Sequence, residues 1–285
     1  MLFPLIDENP TRRWPIVTVG LIAINTLLLL GMLGLDPLEH NRLFLEYGFV
    51  PQRFTEALGS GEAVRIDLEG LVQGSPEARE VLENGESDTV ITLPATMTAA
   101  LGTIFSSMFL HAGIAHLVGN MWFLWIFGNN VEDRLGHVPY LLFYLLGGIF
   151  AALAHWATAT STGALIPTVG ASGAVAVILG AYAVTYPKAQ VRCMLFLFVI
   201  FFMIDLPALA VLGIWITFQL VQGLGALHVG LDGGVAWWAH IGGFIFGMAI
   251  MPLLAMIIPD TTYSAVLKKE RSFQFDPSRH DEFRF

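Results

Sequence analysis

Apolar positions in this chain run on in uninterrupted blocks. No Asp, Glu, Lys or Arg occurs from Pro139 to Pro187, and between Leu206 and Pro259 the one charge is Asp232. About 20 apolar residues cross the hydrocarbon core of a bilayer. Six segments fit: Trp14 to Leu35, Ile114 to Val131, Pro139 to Thr158, a short one from Ser172 to Tyr186, Leu206 to Leu227, and Trp237 to Ile258. The apolar run from Val191 to Met203 is too short to span and is expected in the interface or against the bundle. The pattern predicts an all-α polytopic membrane protein of six transmembrane helices. A tail at 1–13, a membrane domain at 14–258 and a second tail at 259–285 complete it.

Composition agrees. Hydrophobic residues make up 55% of the 285 and charged residues 13%, against about 25% charged in soluble domains. The mean hydropathy is +0.67. The net charge of −9 argues against a nucleic-acid partner, and the single Cys193 excludes an internal disulfide or a Cys-rich zinc site. The first apolar stretch follows Glu8, Arg12 and Arg13 and has full spanning length, so it is expected as a span rather than a cleaved signal. With both termini cytoplasmic, 10 of the 14 basic residues fall inside. The other four lie in the loop 36–100 among 12 acidic residues, so that loop is expected outside, with an acidic, solvated insertion at 59–88.

Ionisable residues at membrane depth are costly and mark function. His116 and Asn120 are four apart and share a helix face, with His111 just before them. Together they offer two polar donors one turn apart; the alternative is that they bond other helices or loop backbone. Metal binding is not expected, because Leu117 follows His116 where a zinc protease has Glu. Ser172, between Gly170 and Gly173, stands where an uncharged loop meets a short span. Free N–H groups at a helix start suit an oxyanion, although a plain N-cap serine with packing glycines is the alternative for that tetrapeptide alone. His240, Gly243 and Gly247 share a third face, whose small residues allow close approach. Ser172, Ala176, Gly180 and Ala183 form a matching stripe, and packing the two stripes together brings His240 to Ser172.

Taken together these residues resemble the rhomboid family of intramembrane serine proteases. The elements are His111, His116 and Asn120, then Gly170-Ala-Ser172-Gly173, then Ala239-His240 with Gly243 and Gly247, and Val131-Glu132-x-Arg134-Leu-Gly136 after the second segment. The resemblance runs from Trp14 to about Ile258. It implies Ser172 as nucleophile, His240 as general base and acid, and an oxyanion hole of His116, Asn120 and the Ser172 N–H. It also implies His111 as a structural partner and Glu132 as a helix-linking hydrogen bonder. The substrate would be a transmembrane segment of another membrane protein, cut beside small side chains, with no cofactor. Two departures from patterns in some members stand out. Gly102 and Thr103 replace a Trp-Arg pair, and Ala176 replaces a tyrosine stacked on the catalytic histidine, which leaves open what orients His240.

No carboxylate is in line to complete a triad. Asp205 falls on the cytoplasmic side and Asp232 in the last external loop, so a Ser–His dyad is expected. The uncharged loop from Thr158 to Thr168 and the short fourth segment suggest a cavity open to the external side. The bacterial cytoplasmic membrane is the expected location. Three other classes compete: a haem protein using His116, His155 and His240, a channel with a histidine path, and a non-catalytic family member that retains clients.

Overall fold

A computed structural model of the chain describes residues 2–67, 90–160, 163–197, 200–229 and 235–262. The chain begins with strand β1 (Leu2–Asp7) and helix α1 (Ile16–Met32). The first loop contributes α2 (Pro37–Tyr47), α3 (Pro51–Leu58), the paired strands β2 (Val64–Asp67) and β3 (Val90–Leu93), and α4 (Met97–Ser107). Then follow α5 (Ile114–Leu135), α6 (His137–Trp156), α7 (Ser172–Thr185), strands β4 (Gln190–Leu197) and β5 (Ile200–Pro207), α8 (Ala208–Val229) and α9 (Trp237–Ile257). A helix thus occupies each of the six apolar segments. By length and composition, α6, α9 and the part of α8 up to Leu227 are long and apolar enough to cross a membrane. At 17 and 14 residues, α1 and α7 are shorter, and α5 ends in Glu132, Asp133 and Arg134.

Polarity runs inside out. Leu27, Leu146, Ile214, Val221 and Ile245 are exposed on the outer helix faces, while Asn25, Asn120, Asn130, Glu132, Asp133, Arg134 and Gln219 are buried. Such an arrangement suits a hydrocarbon solvent, where buried polar groups must find partners within the protein. The chain is a multi-pass membrane protein. At its centre stands α7, whose residues Ala174 to Ala183 are all buried. A helix that is apolar all round belongs inside, and α9 packs against it more extensively than any other helix does.

Glu132 ties one end of the bundle together. Its carboxylate accepts the N–H groups of Val17 and Thr18 at 2.9 and 2.8 Å and the Thr18 hydroxyl at 2.7 Å. His137 shares a further bond with it at 2.6 Å. An anion at the first turn of α1 offsets its unpaired amides and dipole. Asp133 accepts the backbone N–H groups of Arg12 and Arg13, and Arg134 donates to the Ala255 and Ile258 carbonyls at the end of α9. Gly136, with φ of 84°, makes the one-residue corner between α5 and α6, a backbone conformation that favours glycine.

Three expectations need correction. The fold is mostly helical rather than all-α. The described residues of the Val191–Met203 run lie in the paired strands β4 and β5, with Val191 and Cys193 buried in the main core, so the run packs against the bundle, one of its two expected placements, and does so as strand. Its β-branched and aromatic residues suit a strand, but a strand needs a partner that local sequence does not announce. That partner is β1, within the segment 1–13 expected as a tail; it pairs antiparallel with β4 from Leu2↔Leu195 to Asp7↔Val191. The sheet lies along α5, where Trp122 donates to the Pro4 carbonyl at 2.7 Å and Asn130 to the Asp7 carboxyl at 2.6 Å. The first loop, finally, is packed: Leu38, Leu45, Val50, Val64, Ile66 and Leu93 form its own core. Of the expected acidic insertion at 59–88, residues 68–88 lie outside the described residues, as do Asp232 and most of the C-terminal tail, 263–285.

Burial pushes the Asp7 carboxyl up from 3.8 to about 6, against the lowering effect of its hydrogen bond from Tyr182. Between those values the folded chain holds a proton that the unfolded chain has lost, so stability falls as pH rises through this window. Asp7→Asn, which needs no proton, should flatten the dependence of melting temperature on pH between about 4 and 6. An unchanged slope in that variant would place the titration elsewhere.

Candidate active site

Ser172 is the first residue of α7, after Ala171 in the N-cap position, and no side chain caps this end. Its hydroxyl therefore does not play the capping part that the tetrapeptide alone allows. It lies 2.8 Å from Nε2 of His240, which projects from the first turn of α9. The two helices meet because their facing positions lack side chains. A methyl group at Gly180 would collide with the Phe244 carbonyl, one at Gly243 with the Gly173 carbonyl, and one at Gly247 with the Val177 carbonyl. A Cβ at Gly173 would come within 2.8 Å of the Ala151 methyl on α6. Ala176 is buried in this contact and faces Gly243.

The other candidates converge on the same point. Gly170 has φ of 125°, and a Cβ there would sit 2.8 Å from the His116 imidazole, so the loop before Ser172 lies against His116 only because this residue is glycine. Its N–H donates to the Ser107 carbonyl at 2.9 Å. His111 is fully buried, with Nε2 at 3.5 Å from the Ala171 N–H. Burial, reinforced by His116, pushes its pKa down to about 4, so it stands as a neutral acceptor behind the loop. Asn120 is 8% exposed, and its Nδ2 has no hydrogen-bond partner among the described residues. An unpaired buried donor costs about 1–3 kcal/mol, which is tolerable where the group serves a ligand. Glu132 stands apart from this cluster, in the helix link described above.

His116, Asn120, His155, Ser172, Gln219 and His240 line one cavity of about 510 Å³, with Phe123, Val175, Leu179, Trp215 and Trp237 as its apolar wall. Thr168 ahead of α7 and Val235 ahead of α9 also line it, so the cavity lies where α5, α7 and α9 begin. Phe49 of the first loop pairs with Thr168 through two backbone hydrogen bonds of 3.0 and 2.8 Å, which brace the approach to Ser172. Both imidazole nitrogens of His240 are engaged, Nε2 by Ser172 and Nδ1 by the Gln219 side-chain oxygen at 2.7 Å. A haem ligand needs a free ring nitrogen, so the geometry at His240 does not favour that reading.

Sequence reasoning missed Gln219, Trp215 and Trp237. The ring of Trp215 is centred 6.1 Å from that of His240, and Trp237 stands perpendicular to it at 6.2 Å. These two indoles flank the imidazole on the α8 and α9 sides, where Ala176 leaves no stacking tyrosine. The available signal was Gln219 itself, one of two amides with Gln222 inside the apolar α8 segment, and the one that stands a helical turn after Trp215.

A family model described as the rhomboid domain matches residues 99–257. The chain belongs to the rhomboid family. Among similar rhomboid proteins, presenilin-associated rhomboid-like protein A, mitochondrial, of Danio rerio is 34% identical over 54% of this chain and 38% of its own length. Rhomboid protein 1, mitochondrial, of Saccharomyces cerevisiae is 30% identical over 51% of this chain and 40% of its own. Rhomboid protease GluP of Bacillus subtilis is 38% identical over 27% of this chain and 14% of its own. The chain therefore matches two fifths or less of the length of these rhomboid relatives.

Gly247→Ala should force α7 and α9 apart and lower the melting temperature, at a cost of about 1–3 kcal/mol for an overpacked contact. Gly213→Ala on α8, where a methyl group meets nothing within 4 Å, is the matched control. Equal melting temperatures for the two variants would contradict the close-packing account.

Proposed function

We propose that this chain is an intramembrane serine endopeptidase that hydrolyses a peptide bond in or near a transmembrane segment of another membrane protein. The observation that carries the proposal is the 2.8 Å contact between the Ser172 hydroxyl and Nε2 of His240, at a cavity within a bundle whose outside is apolar. Family membership supports it, as does a relative named as a protease.

A serine hydroxyl is a weak nucleophile until a base takes its proton. In the proposed reaction His240 Nε2 removes that proton as Ser172 Oγ bonds to the scissile carbonyl carbon. The carbonyl oxygen becomes an oxyanion held by Asn120 Nδ2, His116 and the Ser172 N–H at the start of α7. Collapse breaks the C–N bond, His240 returns the proton to the leaving amine, and an acyl-serine remains. Water, deprotonated by the same imidazole, attacks the ester and releases the second product with Ser172 restored. The unpaired donor on Asn120 supports the oxyanion role, because it gains a partner only when charge develops.

The surrounding architecture in this reading is six spans with both termini cytoplasmic and the cavity opening to the other side. The excess of basic residues at the ends of α1, α5, α7 and α9 supports that orientation. Small side chains beside the cut are what the family resemblance implies. The mitochondrial relatives run against the bacterial membrane expected above, whereas the Bacillus relative agrees with it; the mechanism requires only a bilayer.

Cleavage of a fluorogenic substrate built on a helix-destabilised transmembrane segment, in liposomes, is the test. Ser172→Ala and His240→Ala should abolish turnover without unfolding the protein. Asn120→Ala should lower it by about 10²–10³, a smaller loss than either dyad variant. Turnover of Ser172→Ala at the wild-type rate would overturn the assignment.

A further inference from the structure

We infer that Gln219 is the positioning residue of the site: its side-chain oxygen fixes the tautomer and the rotation of His240, making a neutral third member of a Ser172–His240–Gln219 relay. The inference rests on the Ser172–His240 reading above and goes beyond it to answer what directs the imidazole.

A neutral imidazole carries one N–H, on Nδ1 or on Nε2. Only the form protonated on Nδ1 leaves Nε2 bare to accept the serine proton. Selecting that form requires an acceptor at Nδ1, and Gln219 provides one at 2.7 Å. The amide turned the other way would donate to Nδ1, move the ring proton to Nε2 and leave Ser172 facing an N–H. The catalytic cycle thus demands the oxygen, which is the atom found there. Among the described residues no carboxylate hydrogen-bonds His240.

The placement of Gln219 supports the same role. It is 5% exposed on a helix whose neighbouring positions are almost all apolar. Burying an amide in such surroundings is unfavourable unless it is hydrogen-bonded, and its oxygen is bonded to the one ring whose direction decides the chemistry. Trp215, four residues earlier on the same face of α8, sets its indole beside that ring. One helix face therefore delivers both an aromatic wall and an acceptor. With bonds at both nitrogens, rotation of the imidazole about its stem breaks one of them.

An amide also suits the medium. A carboxylate beside a neutral imidazole would leave an uncompensated charge in the bundle throughout the resting state, where charge is costly. The Gln219 carbonyl dipole stabilises the imidazolium while it exists and carries no net charge when it does not. This differs from a Ser-His-Asp triad in the charge of the third member and not in its geometry.

The test compares Gln219→Met, which keeps length and loses the acceptor, with Gln219→Glu, which keeps an acceptor oxygen at the same reach. Cleavage kinetics and melting temperatures are measured on the full chain in liposomes. Gln219→Met should lower kcat about tenfold, the size of one lost hydrogen bond at the barrier, with KM unchanged. Gln219→Glu, whose oxygen still accepts from Nδ1, should keep kcat within a few-fold of wild type while its buried charge lowers the melting temperature. Should Gln219→Met fail to fold, Gln219→Asn withdraws the oxygen by one carbon and takes its place, with the same expected loss. Wild-type kcat in a folded Gln219→Met or Gln219→Asn variant overturns the inference, as does equal impairment of the Met and Glu variants. Ser172→Ala in the same series separates the two readings. If it still cleaves, the dyad itself fails; if it is dead while Gln219→Met is normal, only the positioning role is lost.

Discussion

The site depends on how closely α7 and α9 approach. Ser172 and His240 are 68 positions apart, and the hydrogen bond between them survives only if the two backbones come nearly into contact. Gly180, Gly243 and Gly247 make that possible, since a methyl group at any of them would strike the other helix's main chain. In lipid, helices gain little from hiding apolar side chains from one another. Contact between small residues and interhelical hydrogen bonds must supply the association. The same contact that holds the bundle also holds the reacting atoms, so packing and chemistry are inseparable here.

Around this contact the polar groups are sorted into two clusters. Near one end of the bundle Glu132, Asp133 and Arg134 are spent on structure: first-turn amides of α1, the backbone of Arg12 and Arg13, and the last carbonyls of α9. Around the cavity, Asn120 and Gln219 lie buried beside the half-buried His116 and His240. There Asn120 keeps a donor unpaired while His240 is held at both nitrogens. The Glu132–Arg134 groups fix the scaffold, and the Asn120 donor, one of several buried polar atoms without a hydrogen-bond partner among the described residues, lines the cavity beside Ser172.

Much of this was legible in the sequence. The absence of charge from Pro139 to Pro187 locates α6 and α7, and the small-residue stripes at Ser172 and His240 foretell their contact. These signals are local and periodic, so a single chain displays them. Three features were not legible. The strand Leu2–Asp7 forms only because it pairs with β4, more than 180 residues away, and its own six residues carry no such sign. The packing of the first loop rests on contacts between Leu38 and Leu45 and the β2–β3 pair, again distant in sequence. Gln219 is one of two amides, with Gln222, in an apolar run, and only its distance to Nδ1 of His240 singles it out.

The central claim is that Ser172 is an activated nucleophile made so by His240. Labelling the purified protein with a fluorophosphonate and mapping the adduct by mass spectrometry tests this without any knowledge of the substrate. The account predicts a single adduct, on Ser172, that is lost in His240→Ala while the protein stays folded. An adduct on another residue, or undiminished labelling of Ser172 in the His240 variant, would contradict it.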